Sequence, residues 1–233
     1  MSSIGNLKKR VKSAIKGAVT GRPVYDTQGD EEGIINAVFG ERKEGFYIDV
    51  GAHDPVHYSN TYALYKRGWR GLCFEPNEKL HAKFREVRPG DTLVTAAASN
   101  YDGSASFFLG KHSTHSSMAH SDQRHVEKIE VNVRRLDNVM KEMGIARKID
   151  LISVDTEGTE LDVFEGLDLS VNRPRLIVVE YNTANVINKE LQPYLIGKGY
   201  QVLAMTCWNI IATDKMEEDY KVLCPAKKHA TRG

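Results

Sequence analysis

The amino-acid sequence predicts an α/β fold: one doubly wound, mostly parallel sheet with helices on both faces and an antiparallel closing strand. Strand-like apolar runs alternate with helix-like stretches, the signature of βαβ units. The last two runs, residues 200–205 and 208–213, are joined only through Thr206 and Cys207, which suits an antiparallel pair and not a parallel crossover. The chain has 233 residues, 41% hydrophobic and 27% charged, enough for one large domain with its own core.

In chain order, a helix is expected over residues 30–39, after the turn-like stretch 21–29. The run 45–50 reads as a buried first strand, 60–67 as a helix, 71–75 as a second strand and 78–87 as a second crossover helix. Residues 92–98 give a third strand. Shorter strands at 104–109 and 129–133 flank a His- and Ser-rich loop and are followed by a helix over 136–143. The runs 149–154 and 176–180 are each followed or closed by an acid, with helices over 159–167 and 189–198 after them. In such a sheet the ligand crevice lies at the carboxyl ends of the strands. Asp49, Glu75, Asp155 and Glu180 all fall at or just past those ends.

Charge separates a tail from a body. The first 22 residues hold six basic residues and no acid, leaving 26 basic against 31 acidic residues in the rest, a net of −5. A surface that tracks nucleic-acid phosphates needs clustered positive charge in the folded part, so no nucleic-acid partner is expected. Ile4, Leu7, Val11, Ile15 and Ala18 recur at spacings of three and four among Lys and Arg, the pattern of a basic amphipathic helix. Residues 4–19 are therefore expected to touch an anionic membrane peripherally, at about 1 kcal/mol per basic residue, or to pack on the body. The division is a basic segment, 1–22, and a domain, 23–233. Cys73, Cys207 and Cys224 form no CxxC and no even framework, which suits a reducing compartment; with no 20-residue apolar run or signal-peptide core, a cytoplasmic protein is expected, held at most peripherally on the inner face of the membrane.

The stretch Asp49-Val-Gly-Ala-His-Asp-Pro follows a strand and precedes a helix, which places Gly51 where backbone could approach a ligand. His53 and Val56 stand where a dinucleotide fingerprint has its second and third glycines, so pyrophosphate has no cradle and NAD is excluded. Glu75 lies 24 residues after Gly51, the distance at which one βαβ unit returns an acid able to accept both hydrogens of a ribose diol. A diol-reading acid without a pyrophosphate loop suits a nucleoside ligand such as S-adenosylmethionine. The alternative is a plain strand exit in which Asn77 caps the next helix.

Taken together, Phe46-Tyr-Ile-Asp-Val-Gly-Ala-His, Ser59-Asn-Thr-Tyr, Gly68-Trp-Arg-Gly, Phe74-Glu-Pro-Asn, Ala96-Ala-Ala-Ser and Ile149-Asp-Leu-Ile-Ser-Val-Asp-Thr-Glu-Gly-Thr-Glu resemble the FkbM-type methyltransferases over residues 30–181. The resemblance implies a class I, Rossmann-like methyltransferase domain that uses S-adenosylmethionine and transfers a methyl group to a hydroxyl, often of a sugar or polyketide; a sugar or glycolipid precursor is the acceptor expected here. It implies a first cofactor loop at Asp49, Gly51, Ala52 and His53, a ribose acid at Glu75 followed by Pro76, adenine contacts at Ala97 and Ser99, and an Asp-x-Glu-Gly block at Asp155 and Glu157. His53 stands where many members have Asn; a subgroup that shares the Ser-Asn-Thr block resembles this chain more closely.

Ser59 and Asn60 begin a helix and could receive the cofactor's carboxylate or simply cap it. Methyl transfer from a sulfonium is an in-line displacement that needs a group to take the hydroxyl proton. Asp155 is the first candidate, with Glu157 and Glu180 next; the alternative for Asp155 is a cap or a cofactor contact. His112, His115, His120 and His125 crowd 14 residues, and His115, among hydroxyls, is the member most suited to act on a polyol. A divalent metal is compatible but not required. Two rival readings are a metallohydrolase that uses Asp49, His53, Asp54 and His57, and a non-catalytic membrane-associated scaffold. The acceptor's identity, the hydroxyl methylated and the oligomeric state are not encoded in any motif.

Overall fold

The computed structural model describes residues 31–110, 116–118, 125–183 and 186–215, without the side chain of His125. The expected basic segment, His115 and most of the histidine cluster lie outside the described residues.

Seven strands form the main sheet: β1 (Phe46–Val50), β2 (Arg70–Phe74), β3 (Thr92–Val94), β7 (Leu151–Val154), β8 (Leu176–Glu180), β11 (Gln201–Met205) and β12 (Asn209–Thr213), in the order β11-β12-β8-β7-β1-β2-β3. The pairs β1–β2, β1–β7, β2–β3 and β7–β8 are parallel, while β12 runs antiparallel to both β8 and β11. The doubly wound sheet with its antiparallel closing strand is thus as the sequence predicts, because strands buried on both faces read as continuous apolar runs.

Successive side chains of a strand face opposite sides. Ile48, Phe74, Ile152 and Val179 face a core completed by α4 (Leu136–Glu142), α5 (Glu160–Glu165) and α6 (Leu191–Gly197). Tyr47, Cys73, Leu151 and Val178 face the other, completed by α1 (Glu31–Phe39), α2 (Tyr62–Lys66) and α3 (Glu78–Val87). Each large apolar side chain fully buried in these layers contributes roughly 2 kcal/mol of transfer free energy. Asp49 follows the parity of Tyr47 and projects to the α1–α3 side, a placement that matters below.

Three expectations need correction. The third strand does not run to residue 98: β3 ends at Val94, and β4 (Ala97–Ala98) leaves the sheet to pair in parallel with β6 (His125–Arg134). The reason is packing, since Ala97 is buried with Phe107, Leu109, Val131 and Val133 of the ribbon made by β6 and β5 (Gly103–Gly110). That ribbon extends beyond its predicted apolar cores because backbone pairing carries through polar residues. The helix expected over 60–67 starts only at Tyr62, because Ser59 Oγ accepts the amides of Thr61 and Tyr62 while Asn60 and Thr61 turn inward to the sheet. A hairpin of β9 (Asn182–Thr183) and β10 (Val186–Ile187) follows β8, unforeseen because two-residue strands leave no periodicity.

The first helix is clasped to the last hairpin. Glu31, fully buried, accepts hydrogen bonds from Thr206 Oγ1 at 2.8 Å and Asn209 Nδ2 at 2.9 Å, joining residues 175 and 178 positions apart.

Candidate active site

The carboxyl ends of β1, β2 and β7 open into a cleft of about 900 Å³ with its open mouth included. Asp49, Gly51, Ala52, His53, Ser59, Asn60, Glu75, Pro76, Ala97, Asp155 and Glu157 all line it. Two expected members do not. Ser99 is buried, with its amide donating to the Arg134 carbonyl at 3.1 Å, and Glu180 is buried at the end of β8.

Gly51 shows why the first loop has its sequence. It sits at φ +76°, and a Cβ there would come within 1.8 Å of the Asp155 carbonyl oxygen. Glycine thus lets the loops after β1 and β7 cross in contact, and the cleft forms around that crossing. His53, two residues on, is also left-handed at φ +45°; its amide donates to Glu75 Oε2 at 2.8 Å, and its Nε2 is buried without a partner. Burial pushes the His53 pKa down, with Lys83 acting in the same direction and Asp54 against it, which favours the neutral imidazole.

Glu75 lines the cleft and also serves the strand exit. Its Oε1 takes the Asn77 amide at 2.7 Å, and Asn77 in turn caps α3 by accepting from the Lys79 amide at 3.1 Å. Burial raises the Glu75 carboxyl to about 7 against the two amides that favour the anion. The carboxylate is therefore both a loop staple and a cleft wall.

On the β7–β8 side the acids crowd together. Ligand oxygens of Asp155, Glu157 and Glu180 lie within 4.8 Å of one another, the one group of acids and histidines among the described residues close enough to share an ion. Burial, then the charges of Asp155, Glu157 and Glu160, push Glu180 up to about 10, although Thr183 Oγ1 donates to it at 3.0 Å. The loop that presents Asp155 and Glu157 is held by Glu160, whose Oε1 accepts from the Thr156 amide and hydroxyl and the Gly158 amide at 2.8–3.2 Å. Left-handed Glu157 and Gly158 make the turn that brings those donors to one oxygen. Glu160 went unnoticed in the sequence because an acid in the first turn of a helix is commonplace.

The ligand set of the metallohydrolase reading does not assemble. Asp54 Oδ1 accepts the amides of Val56 and His57 at 2.9 Å each, its other oxygen pairs with Lys83, and the four residues form no group that could share an ion.

Sequence reasoning also missed Arg88. It lies fully buried under the β1–β2 end of the cleft, with Nε 2.7 Å from Asp91 Oδ2 and Nη1 3.7 Å from Asp49 Oδ2. In the sequence, Arg-Pro-Gly-Asp reads as a solvated turn, and only its place after an otherwise well-formed helix could have drawn attention.

Comparison with known proteins agrees with this geometry. The sequence pattern of the methyltransferase FkbM domain matches residues 49–202. The chain is 27% identical over 169 residues to the 2-O-methyltransferase NoeI of Sinorhizobium fredii, covering 65% of this chain and 69% of that one. In fold it resembles the crystal structure of methyltransferase FkbM from Methylobacillus flagellatus KT, with a TM-score of 0.52 and 15% identity, over 73% of this chain but only 44% of the solved one. With the cofactor loop on β1, the acid on β2 and the Asp-x-Glu-Gly turn on β7 meeting in one cleft, the chain belongs to the FkbM family of class I, S-adenosylmethionine-dependent methyltransferases.

Proposed function

We propose that this domain is an O-methyltransferase that acts on a hydroxyl of a sugar or glycolipid, with Asp155 as the group that takes the hydroxyl proton. The observation that carries the reading is the placement of Asp155 and Glu157 in the same cleft as Glu75, across the Gly51 crossing. The cleft fits the cofactor: Glu75 offers a buried acceptor to a ribose diol, and His53 Nε2 and Asn60 Oδ1 are buried polar atoms without partners in its wall. Asp49, Gly51, Ser59 and Asn60 would hold the aminoacyl end, and Glu75 with Pro76 and Ala97 the nucleoside. S-adenosylmethionine supplies an electrophilic methyl carbon.

The rest falls to the chain. Asp155 orients the acceptor oxygen and accepts its proton, while the neighbouring Glu157 supplies negative field that favours proton uptake by a carboxylate and Glu180, pushed up to about 10, keeps its own proton. The 2-O-methyltransferase relative supports a hydroxyl acceptor. The basic pattern of residues 4–19 supports an acceptor at an anionic membrane, and hence a cytoplasmic protein bound peripherally; among the described residues no helix is long and apolar enough to cross a membrane.

Calorimetric titration with S-adenosylhomocysteine, followed by methyl transfer to a panel of glycans and lipid-linked sugars, tests the reading. Selective binding of the nucleoside and labelling of a hydroxyl acceptor are expected. A folded, cofactor-free sample that binds no S-adenosylhomocysteine would reject it.

The mutual proximity of Asp155, Glu157 and Glu180 favours a second reading, in which a hard divalent cation sits among them and orients the acceptor hydroxyl. Turnover that disappears on chelation and returns with magnesium or manganese would select it over direct proton uptake by Asp155.

A further inference from the structure

We propose that Arg88 is a positioning residue for the cofactor: a buried guanidinium that locks Asp49 to the Ser59–Thr61 turn, so that the cleft meets the α-ammonium of the cofactor with one preset negative charge. This rests on the reading above that the aminoacyl end lies at Asp49.

A buried cation costs several kcal/mol unless its donors are matched. Arg88 is matched in a particular direction. Its Nε serves Asp91, which also accepts from the Tyr47 hydroxyl at 2.6 Å and the Gly71 amide at 2.9 Å and so belongs to the sheet. The far end of the guanidinium reaches toward the cleft: Nη2 donates to Thr61 Oγ1 at 2.9 Å, and Nη1 donates to Ser59 Oγ at 3.3 Å and lies 3.7 Å from Asp49 Oδ2. The Thr61 hydroxyl donates in turn to that same Asp49 oxygen, so guanidinium, hydroxyl and carboxylate form one relay. Thr61 has no solvent exposure.

Charge counting gives the relay its consequence. One guanidinium faces two carboxylates, and of Arg88, Asp91 and Asp49 only Asp49 lines the cleft. Burial pushes the Asp49 carboxyl up, and Arg88 and the Thr61 hydroxyl oppose that shift, so the relay favours the charged form that Asp49 presents to the ligand. Of the groups at the aminoacyl end of S-adenosylmethionine, the α-ammonium answers it by a charge-assisted hydrogen bond.

The test compares two ligands on full-length protein by calorimetry: S-adenosylhomocysteine, and 5′-S-(3-carboxypropyl)-5′-thioadenosine, which lacks only the α-amino group. The wild type should prefer the first by about 10-fold or more, the worth of a charge-assisted hydrogen bond. Arg88→Met and Thr61→Val should lose most of that preference by weakening the amino ligand alone, and Thr61→Ser, which keeps the hydroxyl, should retain it. If Arg88→Met does not fold, the two Thr61 variants carry the comparison. Folded variants that keep the wild-type ratio, or weaken both ligands equally, would overturn the role of Arg88. Equal binding of both ligands by the wild type would overturn the placement of the aminoacyl end as well, and binding of neither would overturn the cofactor reading itself.

Discussion

The two ends of the cleft handle buried acid in opposite ways. Under β1 and β2, Asp49 and Asp91 share a guanidinium, and Glu75 is stapled by two backbone amides. Across the crossing, beyond β7 and β8, acid meets acid: Asp155, Glu157 and Glu180 gather together, and Glu180 is driven up to about 10 by burial and its neighbours. A matched network fixes geometry and suits binding, whereas a mismatched one stores unfavourable energy and suits proton transfer. On the proposed function, one cleft thus separates holding a ligand from reacting with it.

That contrast fails or sharpens under substitution. The largest effect should come at the crossing, where Gly51→Ala forces Cβ into the Asp155 carbonyl in a left-handed residue. It should cost about 3 kcal/mol or more and abolish binding at both ends, measured by denaturant unfolding and calorimetry. At the mismatched end, Asp155→Asn should lower turnover by about 10²–10⁴-fold while S-adenosylhomocysteine affinity stays within a few-fold. A variant that instead lost affinity and kept turnover would reverse the two roles.

At the matched end, Glu75→Gln keeps the volume but places an amide group against a backbone donor, and should weaken S-adenosylhomocysteine by about 10- to 100-fold. In the wild type, the Glu75 carboxyl at about 7 must give up its proton to accept two ribose hydroxyls. Affinity should therefore rise with pH and level off above about 7, falling by up to roughly tenfold per pH unit below it. A flat profile over pH 5.5–8 would remove Glu75 from ribose recognition.

The smallest effect reads stability at the mismatched end. Glu180 holds its proton more tightly folded than unfolded, so its contribution is complete in acid and is lost as pH rises from the ordinary carboxyl range toward about 10. Glu180→Gln should raise the melting midpoint at pH 8 by roughly 2–4 °C and flatten its decline with pH. No change in slope would mean that the acids there are already compensated.

Legibility in the sequence followed the physics of each part. Strands buried on both faces, such as β1 and β8, leave unbroken apolar runs, and strand-end acids followed directly from their register. Glu75 and Asp155 could be placed in the cleft for that reason. The third strand was misjudged because Ala96, Ala97 and Ala98 are equally apolar in either sheet, and the partner that claims Ala97, the β5–β6 ribbon, is remote in sequence. Arg88 and Asp91 were illegible because their part is played buried, and nothing in a local pattern distinguishes a charged residue that folds inward from one that remains in water. Glu180 ends β8 as expected but is absent from the cleft lining, and the acids that crowd it come from a turn remote in sequence.

The clasp between Glu31 and the last hairpin has a consequence for biosynthesis. Thr206 and Asn209 are among the last described residues to leave the ribosome, and β12 inserts between β8 and the edge strand β11. The parallel half of the sheet can pair while the chain is still growing, but α1 lacks its clasp, and Glu31 stays in water, until the C-terminal hairpin emerges. Folding of the domain is therefore completed only once the last hairpin has emerged, and a nascent chain stalled before residue 209 should present Glu31 and the open flank of β8 to chaperones and proteases.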